Sequence, residues 1–280
     1  MTSSLRLLPL CALLGAIGPS AAAAQRSEPR SRDYLFITNV DDARATWVNP
    51  AGLGWIPEAS VLAEVLVDRS SGSLRLGQYT LGLNSRGLGL SYLRDRSRDT
   101  VSVGVFRLAL GLPLGQGAIG AAYTNYSNSH DQGFDLGLRY PVLAGLDVGV
   151  VVRDINRPQP AAAEPVKPVT TVAGATWSVV PKGVTVSAEA IAAERPGPAS
   201  GFDWGYRGGF TIRTSRPWPV ELVAAAQVDE RGTLRQWSLG LVIGRLDRVG
   251  LVTGALPTSG LGSVDRFSAV GVASRRPGMR

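Results

Sequence analysis

The sequence predicts an all-β fold: an antiparallel transmembrane β-barrel of about fourteen strands, preceded by a short helical and turn segment. Three observations predict it. Apolar and polar residues alternate with period two from Val61 almost to the C-terminus. The connections between the alternating segments are short and long by turns. A secretory leader precedes them, and no later apolar run is long enough for a spanning helix, which takes about 20 residues.

Residues 1–24 read as a signal peptide: Arg6, an apolar run from Leu7 to Ile17, and Ala22 and Ala24 at A-x-A spacing. The mature chain is expected to start near Gln25. Cys11, the single cysteine, lies inside the leader, so the mature chain is expected to lack disulfides, thiolate metal sites and cysteine nucleophiles. The 34 glycines, 7% aromatic and 18% charged residues favour a turn-rich β protein over a helical bundle. The net charge of +7 comes from arginine, since only Lys167 and Lys182 are lysines. Because the arginines are scattered rather than gathered on one face with stacking aromatics, nucleic acid is excluded as a partner.

Residues 25–60 form a separate N-terminal segment ahead of the strands. Asp41 is read as a helix N-cap, with Ala43, Ala45 and Trp47 in the first turns; Asn49 before Pro50 disfavours continuation, and Gly52 permits a sharp turn.

Residues 61–280 form the barrel, with strands expected at 61–69, 73–83, 87–94, 100–111, 117–127, 133–140, 146–155, 169–179, 184–193, 202–214, 219–229, 234–243, 248–256 and 265–274. The clearest alternation sets Phe202, Trp204, Tyr206, Phe210 and Ile212 against Asp203, Arg207, Thr211 and Arg213. Lipid offers no partner to backbone N–H and C=O groups, so a spanning sheet must close. Arg or Lys on the lipid face costs about 2–4 kcal/mol at the midplane, so Arg139 and Arg207 are expected to point inward. The lumen candidates are Asp135, Arg139, Glu189, Asp203, Arg207, Glu221 and Gln227; sets of this kind more often satisfy one another than line a solute path. Trp204, Tyr206, Tyr140, Tyr92, Trp237 and Tyr123 supply partial interfacial girdles.

Every second connection is tight, from Asn84–Arg86 to Gly244–Asp247, whereas the long ones, such as Asp95–Asp99, Asn156–Pro168 and Pro257–Val264, all fall in the other set. That parity assigns the tight turns to the periplasmic rim. The proline-rich stretch Asn156–Pro165 is expected to be an extended, poorly packed external loop, with a domain linker as the alternative.

Asp41-Asp42-x-x-Ala45 followed by Asn49-Pro50-Ala51-Gly52-Leu53 resembles the N-terminal signature of FadL-like barrels and of the related PorV-like proteins. The resemblance covers about fourteen residues and implies a fourteen-stranded barrel with residues 25–60 tucked inside it as a plug and the first strand following at once; the candidate plug and gate residues are then Asp41, Asp42, Asn49, Pro50, Ala51, Gly52 and Leu53. Val151–Pro158 also resembles the end of a mid-barrel strand in PorV-like proteins. The chain departs from the pattern in being short for a FadL-like transporter and in ending Arg275-Arg276-Pro277-Gly278-Met279-Arg280, without the terminal aromatic many bacterial barrels present for insertion.

Chemistry is not expected. His130, the only histidine, lies in a loop-like Asn128–Gly133 stretch, there is no G-x-S-x-G elbow, and no phosphate-binding loop is present. No metal site or cofactor is expected. The reading is a bacterial outer-membrane protein, not an enzyme, acting as a passive channel for small hydrophobic solutes through a lumen controlled by the Asn49–Leu53 turn. The alternatives are a PorV-like accessory of a protein secretion system and a soluble periplasmic β protein. Expected partners are outer-membrane lipid and lipopolysaccharide, a hydrophobic small molecule, or secretion-system proteins.

Overall fold

The computed structural model describes residues 28–55, 59–70, 73–96, 102–162, 165–195, 201–214, 219–244, 247–255 and 266–275. The leader, the start near Gln25, Pro57 and the C-terminal Arg276–Arg280 lie outside them. Three one-turn helices come first: α1 (Ser31–Tyr34), α2 (Ala45–Val48) and α3 (Gly52–Trp55). Fourteen strands follow: β1 (Ala59–Ser70), β2 (Ser73–Ser85), β3 (Leu88–Asp95), β4 (Val103–Leu114), β5 (Gly117–Tyr126), β6 (Gln132–Leu143), β7 (Leu146–Arg153), β8 (Thr170–Val180), β9 (Val184–Glu194), β10 (Phe202–Arg213), β11 (Val220–Asp229), β12 (Leu234–Ile243), β13 (Asp247–Ala255) and β14 (Arg266–Arg275). Each pairs antiparallel with its neighbour in sequence. The sheet closes where β1 meets β14, from Ala59 opposite Arg275 to Asp68 opposite Arg266.

Closure leaves no free edge, and alternation then divides each strand between two environments. On β10, Phe202, Trp204, Tyr206, Phe210 and Ile212 are exposed on the outside while Arg207 and Thr211 are buried inside. Leu81, Leu110, Leu136 and Leu241 are each about half exposed on the same outer surface. An outward band this apolar is what a barrel presents to acyl chains. Trp204 and Leu239 are not covered by a second layer, which rules out the sandwich alternative. Outward aromatics meet near the long-loop rim, where Tyr92 packs at 4.7 Å from Phe106 and Tyr123 at 5.5 Å from Phe134.

Strand ends fall within three residues of those expected. The largest differences are at β4 and β6, which run on through Pro113 and Pro141. Both prolines sit at the rim, and the register shifts between Pro141 and Leu143, so no interior ladder bond is lost. The rim of tight turns includes Arg86-Gly87, whose φ values of 49° and 85° are those of a type I′ hairpin turn.

The proline-rich connection between β7 and β8 differs from expectation, because it is packed rather than loose. Asp154, Pro158, Pro160, Ala161 and Lys167 are buried, and Gln159 N donates to Asp131 Oδ2 at 2.6 Å. It folds over the β5 and β6 side of the mouth, with Pro158 against Gly133.

Candidate functional site

Residues 28–55 occupy the lumen. Tyr34, Leu35, Phe36, Ile37, Val40, Trp47, Val48 and Leu53 are all buried there, so the core of this protein is the contact between one N-terminal segment and the inside of the barrel. The segment lies nearest the long-loop rim at Glu28, beside Lys167 of the β7–β8 connection. It reaches the tight-turn rim at Gly54, which faces the backbone of Leu112 on β4, and then enters β1.

Asn49-Pro50-Ala51-Gly52-Leu53 is seated on a patch of wall without side chains. Gly111 on β4 is directly opposite Gly120 on β5, which is opposite Gly137 on β6. A Cβ at Gly111 would lie 2.6 Å from Pro50 O, one at Gly120 would also lie 2.6 Å from Pro50 O, and one at Gly137 would strike Asn49 Oδ1. Only glycine allows plug and wall to approach so closely.

Asn49 is fully buried, and its side chain satisfies three backbone groups. Nδ2 donates to Ile37 O at 2.8 Å and to Leu138 O on β6 at 3.3 Å, while Oδ1 accepts from Ala51 N at 3.0 Å. It ends α2 in an extended conformation, φ −154°, as a residue before proline should. The helix start differs from expectation. Asp42, not Asp41, holds the turn, its Oδ1 accepting from Arg44 N at 2.9 Å, two residues on, rather than as an N-cap.

Charge holds the segment to the wall. Near the tight-turn rim, Asp42 Oδ2 accepts from Arg44 Nη2 and from Arg248 Nη2 of β13, both at 2.6 Å. Burial pushes the Asp42 carboxyl up, but these two guanidinium groups outweigh it and hold it at about 2. Burial and the like charge of Asp42 push the half-buried Asp41 carboxyl up instead. Tyr34 OH donates to Glu64 Oε1 on β1 at 3.1 Å, and Trp47 Nε1 donates to Ser91 Oγ on β3 at 2.6 Å.

Towards the long-loop rim lies a longer network. Glu28 pairs with Arg32 at 2.5 Å and with Lys167 at 3.1 Å; Arg32 also reaches Asp135 at 3.6 Å, and Asp135 pairs with Arg107, whose Nε donates to Thr46 O at 2.5 Å. Lys167 lies 4.0 Å from Asp154 and 5.5 Å from the Tyr126 ring centre. Burial would lower the Lys167 ammonium, yet Asp154, Tyr126 and Glu28 carry it well above the usual lysine range. The β7–β8 connection is thereby tied to the start of the plug.

Of the sequence-predicted lumen residues, the structure gathers four against the plug. Arg207 and Glu189 pair at 2.5 Å; Glu189 also accepts from Ile37 N at 2.6 Å, and Arg207 donates to Leu35 O at 2.7 Å and stacks on Phe36. Asp135 belongs to the network above. Arg139 donates to Val40 O at 3.2 Å and to Asp147 at 2.8 Å, and lies 4.3 Å from the Trp55 ring centre. Among the described residues no ion pair joins the other three to it: Asp203 pairs with Arg195 at 2.7 Å, Glu221 with Arg213 at 2.8 Å, and Gln227 lines open space. Sequence reasoning missed Arg32, Arg44, Glu64, Arg107, Lys167 and the glycine row. Glu64 and Arg107 share the inward parity of Leu62 and Ala109, which was a usable signal.

Above the plug, on the β7 to β12 side, the lumen opens into a cavity of about 560 Å³ lined by Arg32, Arg153, Glu189, Arg207, Asp229 and Arg235 among others. Val172, Ile191 and Val228 supply apolar patches on the same walls.

Neither a protein-family model nor a curated protein sequence matches the chain. Among solved structures, it is similar to the CymD monoaromatic hydrocarbon channel, with a TM-score of 0.55 and 13% identity over 89% of this chain and 96% of that one. It is also similar to the Pseudomonas putida toluene transporter TodX, with a TM-score of 0.55 and 11% identity over 88% of this chain and 97% of that one. At such identities the likeness is one of fold.

Proposed function

We propose that this protein is an outer-membrane conduit for a small hydrophobic solute, held closed by its own N-terminal segment. The observation that carries the proposal is the seating of residues 49–53 on the glycine row: the obstruction meets the wall through polar contacts and close packing, with no covalent link along the way, so it can be displaced without breaking the barrel. Support for the cargo comes from the two similar structures, which are named for a monoaromatic hydrocarbon and for toluene, and from the FadL-like character of residues 41–54. Solute would enter the outer cavity and pass when the Asn49–Leu53 turn moves. The protein works without chemistry on its cargo, among outer-membrane lipid and lipopolysaccharide.

The test is uptake of labelled toluene and ion conductance in proteoliposomes, comparing the full chain with a chain lacking residues 41–54. Deletion is expected to raise both, and equal values for the two chains reject gating. The close filling of the lumen also favours a second reading, a PorV-like accessory that engages secreted or secretion-system proteins through its outer loops. Copurification of such a partner, with no toluene flux from either chain, would select it.

A further inference from the structure

We infer that the lipid-facing side of the long-loop rim at β3 is a binding site for the phosphate of an outer-leaflet glycolipid, held by Arg94 and Arg96 with Tyr92 beside them. Along the outward face of β3 run Leu88, Leu90, Tyr92, Arg94 and, one residue past the strand, Arg96. That is the order in which a lipid presents acyl chain, interface and headgroup to a barrel wall. Arg96 N still donates to Gly77 O on β2 at 2.6 Å, so the alternation holds that far, and Asp95 between the two arginines is buried on the lumen side. Below the guanidinium groups lies an aromatic belt. Arg96 stands 6.0 Å from the Tyr79 ring centre, and Tyr79, Tyr92 and Phe106 follow one another across β2, β3 and β4 at 6.1 and 4.7 Å.

Two other rim arginines are occupied, Arg157 by Glu194 at 2.8 Å and Arg195 by Asp203 at 2.7 Å. Arg94 and Arg96 make no ion pair among the described residues, and the shielded Arg94 Nε donates to nothing. Register sets Arg94 opposite Gly104, where the place of the missing Cβ lies 2.5 Å from Ser127 Oγ, 3.3 Å from Tyr92 OH and 3.6 Å from Arg94 Nη1. Ser127 Oγ already donates to Gly104 O at 2.9 Å, which leaves the guanidinium and the phenol to donate to an oxygen arriving from outside. With the tight turns on the periplasmic side, this rim meets the outer leaflet. A dissolved phosphate would use the arginines alone, whereas a lipid also lies along Leu81, Leu90 and Leu108, each about half exposed directly below. The inference rests on the outer-membrane placement within the proposed function and not on solute passage.

The test is titration of the full chain in detergent with diphosphorylated lipid A, dephosphorylated lipid A and phosphatidylglycerol, read by native mass spectrometry, with inorganic phosphate as competitor. Lipid A is expected to bind saturably, to lose at least about tenfold in affinity in the double variant Arg94→Gln, Arg96→Gln, and to stay within about threefold in Arg231→Gln on the β11–β12 turn. Dephosphorylated lipid A should bind the native chain as weakly as lipid A binds the double variant. Equal lipid A affinity for the native chain and the double variant overturns the site. Phosphatidylglycerol binding of equal strength and equal arginine dependence overturns the glycolipid assignment, and displacement of lipid A by millimolar phosphate overturns the lipid assignment. If the double variant fails to fold, the two forms of lipid A on the native chain still decide, because equal affinities refute the proposal. The expected lipid A pattern without toluene flux removes the conduit and leaves the site; toluene flux without phosphate-dependent lipid A binding does the reverse.

Discussion

One methyl group added inside the barrel at Gly120 tests whether the plug is a separable stopper. In Gly120→Ala the new Cβ would sit 2.6 Å from Pro50 O, against 3.4 Å or more in ordinary contact, and the atoms it meets are plug backbone rather than a flexible side chain. Overpacking of a filled core costs about 1–3 kcal/mol. Here the strain exists only while the turn is seated, so it shifts the seated and unseated populations by roughly 5- to 150-fold. Open-channel events in planar bilayers should rise by that order. Gly208→Ala is the control, because its Cβ would find no atom nearer than Ser187 O at 4.0 Å. A Gly120→Ala chain that matches both the native chain and Gly208→Ala in conductance and in heat-modified gel migration would refute a separable stopper. A lowered melting temperature with unchanged conductance would instead make residues 49–53 a fixed part of the core.

Three further outcomes are expected. The Asp42 carboxyl is held at about 2, below its ordinary value of 3.8, so its contribution of about 2 kcal/mol is full above pH 4 and is lost as pH falls towards 2; leak conductance should climb over that interval and Asp42→Asn should remove the step. Lys167→Ala leaves Glu28 and Asp154 without their shared cation, a loss of about 3–5 kcal/mol for a broken buried pair, and should expose the β7–β8 connection to protease in intact vesicles; unchanged cleavage would contradict the tie between loop and plug. Leu241→Arg, on the outward face of β12, should lower barrel stability in lipid by about 2–4 kcal/mol, as read from urea-induced unfolding in vesicles, and a neutral result would argue against that face meeting acyl chains.

How much of the site could be read in advance depends on the range of the forces involved. Inward parity placed Arg139 and Arg207 correctly because alternation along a strand is local geometry. The Asn49-Pro50 junction ended a helix as expected because the restriction before proline is local too. The start of that helix was misread, since both Asp41 and Asp42 suit a turn, and Asp42 is the one held, by Arg44 two residues on and by Arg248, some two hundred residues on. The β7–β8 connection was expected to be loose because proline composition reports backbone preference; burial of Lys167 against Glu28 is set by which parts of the chain the closed sheet brings together.

The sequence by itself determined the strands and the two-sided character of the wall, both consequences of a period of two acting between neighbours, and the parity of the turns, which is legible in the lengths of the connections. Closure decided the rest. Gly111, Gly120 and Gly137 are ordinary small residues along three separate strands, and they become one seat for Pro50 only when register sets them side by side. Charges far apart in the chain become a network only when the lumen excludes enough water to make their pairing obligatory, and that exclusion belongs to the filled barrel rather than to any segment of it.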